Sequence, residues 1–278
     1  MTAITILLPT SGTPLDALLI ERTLAMIRAQ TFQDWHLIVI ESGPQETHNL
    51  YEITHRKWAA PWLTWLYRPQ VQSLALALQF ALAHVEATEL LVFASHEYTW
   101  EPEYLTEMWG VWHKSRGQLG MVYCNEAEFD GSGLRVHWIP RVRYDRNLLF
   151  RFCWMHLPAM GLSYTRVMDL EGFQFLDEQT PDWDMALRLS RFGIKHIARA
   201  LVRHHWTTFV YPDPLAQEHA RPQIDFRMRL GLYGDEALDE MHNWRTYPQL
   251  PGQVPTPLAE TEETANIPPP ESTEQIQT

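Results

Sequence analysis

The sequence predicts a mixed α/β domain built on a mostly parallel sheet flanked by helices. Three observations carry that expectation. Short, continuously apolar runs such as Ile4–Leu8 and Leu37–Ile40 suit strands buried on both faces. Segments with helical spacing alternate with such runs through residues 4–94, as βαβ units do. With 278 residues, 45% of them hydrophobic, the chain can bury a sizeable core.

Ile4–Leu8 is the first expected strand. Leu15–Ala29 follows as a helix, with Leu15, Leu18, Leu19, Arg22 and Met26 at helical intervals. Leu37–Ile40 is the second strand, and a helix around Gln45–Trp58 leads to a third at Leu63–Tyr67. Ser73–Glu86, rich in Ala and Leu, reads as a helix, and Glu89–Ala94 as the fourth strand. The rhythm then changes. Pro102–Ser115 reads as a helix, and Gly120–Tyr123 and Leu134–Trp138 as strands of a small antiparallel ribbon turning at Asp130–Gly133. Phe152–Ser163 and Ile194–Arg203 read as strands around a helix at Trp183–Phe192.

Residues 1–210 are thus expected as the main domain. Residues 211–246 are amphipathic and expected as a C-terminal helical extension packed on it. Residues 247–278 are rich in Pro, Glu and Thr and contain no Lys or Arg. Such a segment cannot bury enough apolar surface to offset its ordering entropy, so a disordered tail is expected, with docking to a partner as the functional alternative.

A net charge of −12 argues against a nucleic-acid partner, whose footprint would be basic. A nucleotide ligand needs only a local pocket and is compatible with that charge. Twelve Trp supply large areas for packing and for stacking on sugars or bases. The two cysteines, Cys124 and Cys153, make neither a disulfide framework nor a zinc cluster, which fits a reducing compartment. The N-terminal MTAITILLPT lacks a basic region and reads as a strand, not a signal peptide. No run reaches the roughly 18 apolar residues of a spanning helix. The expectation is a cytoplasmic chain, with peripheral contact to a membrane also compatible.

Several short stretches carry chemistry. Pro9-Thr10-Ser11-Gly12 closes the first strand, and Ile38-Val39-Ile40-Glu41-Ser42-Gly43 closes the second on a carboxylate. A carboxylate at the C-terminal end of an apolar strand is poorly explained as packing, and that edge is where open α/β sheets bind ligands. The fourth strand runs into Ser95-His96-Glu97-Tyr98 and then Pro102 to Leu105. Farther on come Met155-His156-Leu157-Pro158, Glu171-Gly172-Phe173, Pro181-Asp182-Trp183-Asp184 with Arg188, and Arg203-His204-His205-Trp206. His96-Glu97 is not a zinc helix, because no histidine follows at the HExxH position.

In this order, over residues 3–206, the stretches resemble a family-2 glycosyltransferase of GT-A fold, a nucleotide-diphospho-sugar transferase. The resemblance implies that Pro9, Thr10 and Ser11 lie beside the base and that Glu41 accepts from base or ribose. Gln79 stands where the family has Asn in Ala-Arg-Asn-x-Gly, and Leu78 stands where it has Arg. Arg68 is a substitute cation for the diphosphate or an ordinary surface arginine. Ser95, His96 and Glu97 occupy the Asp-x-Asp-Asp station, so one carboxylate remains there and the motif is degenerate. Ser95 and His96 are expected at the nucleotide, and Glu97 at a divalent cation, Mn²⁺ or Mg²⁺.

His156 is expected near acceptor or diphosphate, and His205 near diphosphate or metal, with His204 close behind. Adjacent residues on a strand face opposite ways, so only one of that pair can face the site. Asp182 takes the position of the catalytic base, while Asp184 pairs with Arg188 at i,i+4 spacing. The implied activity is an inverting hexosyl transfer from a nucleotide-sugar donor, a UDP-sugar foremost. The acceptor would be a hydroxyl of a glycan, lipid or cell-surface polysaccharide precursor. The alternative is a GT-A-fold protein that binds a nucleotide or glycan without transfer. A sugar nucleotidyltransferase would want a basic Gly-rich loop, and PTSGTPLD has no Lys or Arg.

Overall fold

A computed structural model describes residues 2–10, 14–43, 58, 60–70, 73–129, 135–139, 144–150, 153, 155–173 and 181–205. The expected helix at Gln45–Trp58, Ser11, the helical extension at 211–246 and the tail lie outside the described residues, apart from Trp58 itself.

The elements alternate as the sequence pattern requires. Strand β1 (Thr2–Thr10), helix α1 (Pro14–Arg28), strands β2 (Trp35–Ser42) and β3 (Leu63–Arg68), helix α2 (Leu74–Leu82) and strand β4 (Thr88–Phe93) make the first half. The second half holds β5 (Tyr98–Trp100), α3 (Tyr104–Lys114), β6 (Met121–Phe129), β7 (Arg135–Ile139) and α4 (Arg146–Leu149). A 3₁₀ turn (Leu157–Ala159), β8 (Met160–Ser163), α5 (Tyr164–Asp169), α6 (Pro181–Leu189) and β9 (Ile194–His205) complete it.

All the described strands join one 9-stranded sheet in the order β3-β2-β1-β4-β8-β6-β9-β5, with β7 paired to β6. Strands β1, β2, β3, β4, β6 and β9 run one way, and β5, β7 and β8 run against them. The sheet is therefore mostly parallel, and β6–β7 is the expected antiparallel ribbon. Alternation sends Ile4, Ile6 and Leu8 of β1 into the core cluster that also holds Ile20 and Leu24 of α1. Leu7, Ile38 and Ile40 join the opposite cluster with Leu78 of α2 and Leu187 of α6. Both faces are dry, which is why these strands read as unbroken apolar runs.

One expectation changes, and two short elements are new. Of the described residues within Phe152–Ser163, only Met160–Ser163 is strand, because Pro158 cannot donate to a ladder and sits in the 3₁₀ turn. The short β5 and α5 lack a periodic signal of their own. Ser163 instead starts α5 by capping, its Oγ accepting from the Arg166 N–H at 3.4 Å. Among the described residues no helix is long and apolar enough to cross a membrane.

The turn after α5 holds Glu171 at φ 62° and Gly172 at φ 77°. Gln79 Oε1 accepts from the Phe173 N–H at 2.6 Å, and Arg188 donates to the carbonyls of Leu170 and Gly172. A Cβ on Gly172 would press on Gln79 Oε1 and come within 2.8 Å of Leu82 Cδ1. Gly172→Ala is expected to cost about 1–3 kcal/mol, combining the left-handed backbone with that collision. Urea unfolding measures it, and an unchanged midpoint would contradict this account of the turn.

Candidate active site

The parallel strands end level with one another. Pro9 pairs with Ile40 and Thr10 with Glu41, Leu7 pairs with Phe93, and the Ala94 N–H donates to the Leu7 carbonyl. Because β8 is reversed, its N-terminal end, with His156, Leu157 and Pro158 before it, arrives at the same edge. The N-terminus of α6 comes there too. Between them lies a cleft of about 400 Å³, a size suited to a small organic ligand. Its lining includes Pro9, Thr10, Ser42, Ser95, Glu97, His156 and Asp182, with an apolar wall of Leu74, Ala77, Leu78 and Phe93.

The sequence-predicted residues divide into two groups. Pro9, Thr10, Ser95, Glu97, His156 and Asp182 meet at the cleft, although they come from four different elements and loops. Glu41, Gln79, His96 and His205 are not among the lining residues. Glu41 is buried at 1% exposure, its Oε2 accepting from Trp65 Nε1–H at 2.9 Å, and the next residue, Ser42, reaches the cleft instead. Gln79 points to the Gly172 turn, which its amide oxygen clamps. His96 turns back beneath the loop: its Nδ1 and Thr23 Oγ1 of α1 are hydrogen-bonded at 3.1 Å, and its carbonyl accepts from Arg22. Arg68 lies with its guanidinium over the Phe80 ring at 4.3 Å.

The two histidines ending β9 face opposite ways, as a strand demands. His205 Nε2 is hydrogen-bonded to Thr99 Oγ1 at 2.8 Å, and burial with Arg22 and Arg203 nearby holds its pKa below the usual histidine value. His204 does not line the cleft either, but it packs behind Tyr98 and His156, which do. Its ring stacks on Tyr98 at 4.3 Å and meets the His156 ring edge-on at 6.2 Å.

Asp182 is the second residue of α6, partly buried, with Oδ1 accepting from the Trp183 N–H at 2.9 Å. Burial raises its pKa above the ordinary carboxylate value. The nearby His156 and the backbone N–H groups of Trp183 and Asp182 oppose that rise, while Glu126 adds to it. Asp184 and Arg188 form the expected pair, Arg188 Nε lying 3.0 Å from Asp184 Oδ2, both nearly buried. Asp184 therefore braces α6 rather than entering the cleft.

Glu126 was missed by sequence reasoning. It sits on β6 with a side chain at 0% exposure, and its Oε2 accepts from His156 Nδ1 at 2.9 Å. The available signal was an acid inside an otherwise buried strand, MVYCNEAEF.

Among the described residues no three His, Cys, Asp or Glu side chains group as a metal cage. Glu97, exposed at the cleft beside Ser95, fits a Mg²⁺- or Mn²⁺-type cation that takes one protein carboxylate and completes its shell with diphosphate oxygens and water.

Solved glycosyltransferases share this fold. The mannosyltransferase PcManGT from Pyrobaculum calidifontis, solved with GDP-Man and Mn²⁺, matches with a TM-score of 0.60 at 16% identity, over 90% of this chain and 77% of that one. S. aureus TarS 1-349 in complex with UDP-GlcNAc matches with a TM-score of 0.60 at 11% identity, over 76% of this chain. The match spans 61% of the TarS chain. The same TarS fragment with UDP matches at 12% identity over 80% of this chain and 64% of its own. No family model matches the sequence, and no curated protein sequence matches it. At such identities the likeness is one of fold: a GT-A-like α/β sheet with its cleft at the C-terminal edge.

Proposed function

We propose that the chain is an inverting glycosyltransferase, moving a hexosyl group from a nucleoside-diphosphate donor to a hydroxyl of a glycan or lipid-linked acceptor. A UDP-sugar is the first donor to test. The observation that carries this reading is the meeting of Asp182, His156 and Glu97 with the ends of β1, β2 and β4 on one cleft. Pro9, Thr10 and Ser42 offer short polar groups and backbone for the nucleoside. Asp182 takes the acceptor hydroxyl proton as that oxygen attacks the anomeric carbon. The bond from carbon to diphosphate oxygen breaks on the opposite face, and the diphosphate leaves with the electron pair. A carboxylate raised by burial is a stronger base at neutral pH than an exposed one, and it suits that step. His156 lines the same cleft, beside the acceptor or the diphosphate. A divalent cation at Glu97 would supply further positive charge there when bound.

Glu97→Gln tests the cation's place. Glu97 is exposed, so the melting temperature should not move, while half-maximal turnover should need on the order of 10-fold more Mn²⁺. An unchanged Mn²⁺ dependence would remove Glu97 from the reading. The second reading, binding without transfer, is favoured by Ala77 and Leu78, which give the cleft an apolar wall where the resemblance has an arginine. A panel of nucleotide sugars, with and without Mn²⁺, separates the two. Turnover of any donor supports the enzyme. A nucleotide that raises the melting temperature while no donor turns over supports the binding protein.

A further inference from the structure

We propose that Glu126 is a positioning residue that acts through His156, fixing Nδ1 as the protonated ring nitrogen and presenting Nε2 to the ligand in the cleft. The inference deepens the reading of this cleft as a sugar-nucleotide site and rests on it for the ligand's identity.

Glu126 lies on β6, 30 residues before His156 in the loop ahead of the 3₁₀ turn, and the Glu126 side chain is wholly buried. Taking a carboxylate out of water is costly, and an apolar residue of similar volume would fill the same space without that cost. One partner of this carboxylate is a cleft-lining histidine. Two acceptors cannot face each other across 2.9 Å, so a proton lies between them, and imidazole, the intrinsically more basic of the two groups, carries it on Nδ1. A ring held at its back by Nδ1 turns Nε2 toward the cleft that it lines.

The surroundings hold that orientation. Tyr98 meets the His156 ring edge-on at 6.3 Å, and His204, stacked on Tyr98, meets it at 6.2 Å. Asp182 of α6 is close enough to feel the charge of both His156 and Glu126. The titratable groups around the ring are thus Glu126, Tyr98, His204 and Asp182. On β6 the register against β9 shifts twice in succession, at Cys124/Asn125 and Asn125/Glu126. Local ladder breaks of this kind recur beside active sites, where they aim a side chain.

The test uses Glu126→Gln, which keeps shape and removes charge. Its amide can present either an oxygen or an NH₂ to Nδ1, so the ring is no longer confined to one tautomer. The first readout is the ¹⁵N spectrum of labelled full-length protein. The wild type should show His156 protonated at Nδ1, and Glu126→Gln should populate the Nε2–H tautomer. The second readout is a mutant cycle on donor turnover. Glu126→Gln should lower kcat on the order of 10- to 100-fold with little change in KM. In a His156→Gln background it should cost nothing further. A wild-type His156 protonated only at Nε2, or equal losses in both backgrounds, would overturn the proposal. If Glu126→Gln does not fold, the wild-type spectrum alone decides. If no donor turns over in the wild type, the proposed function fails while the spectrum still tests the positioning.

Discussion

Asp182→Asn is expected to lower donor turnover by roughly 10²–10⁴-fold, the share that a positioned general base contributes. The substitution is nearly isosteric. Asparagine keeps an oxygen that can accept from the Trp183 N–H, so the start of α6 should survive. Donor affinity should change little, because the base acts on the acceptor hydroxyl and not on the nucleoside. A loss in KM alone would instead make Asp182 a binding group.

The same variant should not be less stable at neutral pH. Burial raises the folded-state pKa of Asp182 above its unfolded value, so the native state binds this proton more tightly. Its contribution to folding is present below the ordinary carboxylate range and is lost as pH rises through the raised folded value. At pH 7 the charged group is a cost that asparagine lacks. Asp182→Asn should therefore melt at or above the wild-type temperature at pH 7, with the advantage shrinking as pH falls through the raised folded value toward the ordinary carboxylate range. Turnover of the wild type should fall with acidity at a pH above that range, as the base takes up its proton. A residue retained for stability would show the opposite: a lower melting temperature and undiminished turnover.

Arg188→Leu should have the largest effect on stability. The Arg188 guanidinium is 3.0 Å from Asp184 and donates to Leu170 O at 2.8 Å and Gly172 O at 2.6 Å, with side chains 8% and 7% exposed in the ion pair. Leucine removes the cation beside a buried carboxylate and the donors to two carbonyls. Breaking one side of such a pair costs about 3–5 kcal/mol, against total stabilities of roughly 5–15 kcal/mol for a domain. Removing both partners should recover part of the loss, because the remaining charge goes with it. Urea unfolding of Arg188→Leu, Asp184→Leu and the double variant reads this directly. A loss below about 1 kcal/mol for Arg188→Leu would mark the pair as a surface-type ion pair. The effect should reach the cleft, since the same arginine ties α6, and with it Asp182, to the 170–173 turn.

The sheet was legible because its parallel strands are dry on both faces, so Ile4–Leu8 and Leu37–Ile40 announce themselves by composition. The ends of those strands were legible for the same reason, and Pro9, Thr10, Ser95 and Asp182 do reach one edge. Side-chain direction was less legible. Glu41 and Ser42 are neighbours on one strand, yet one is buried against Trp65 and the other lines the cleft. His96 is drawn away by Thr23, 73 residues earlier, a partner that no local pattern reveals. Between His204 and His205, strand parity shows that only one can face the site. Which one depends on the register of β9 against a β6 ladder that shifts twice. Glu126 was missed for a related reason: its meaning lies in His156, 30 residues on in the loop before the 3₁₀ turn, and not in its own sequence neighbours.

The central claim, a nucleotide-sugar site in which Asp182 serves as base for a single displacement, is tested most directly by proton NMR of the anomeric centre during donor turnover. The account predicts that an α-linked donor yields a product of β configuration first, with mutarotation following later. A product that keeps the donor's configuration, or no product from any nucleotide sugar with or without Mn²⁺, would contradict it.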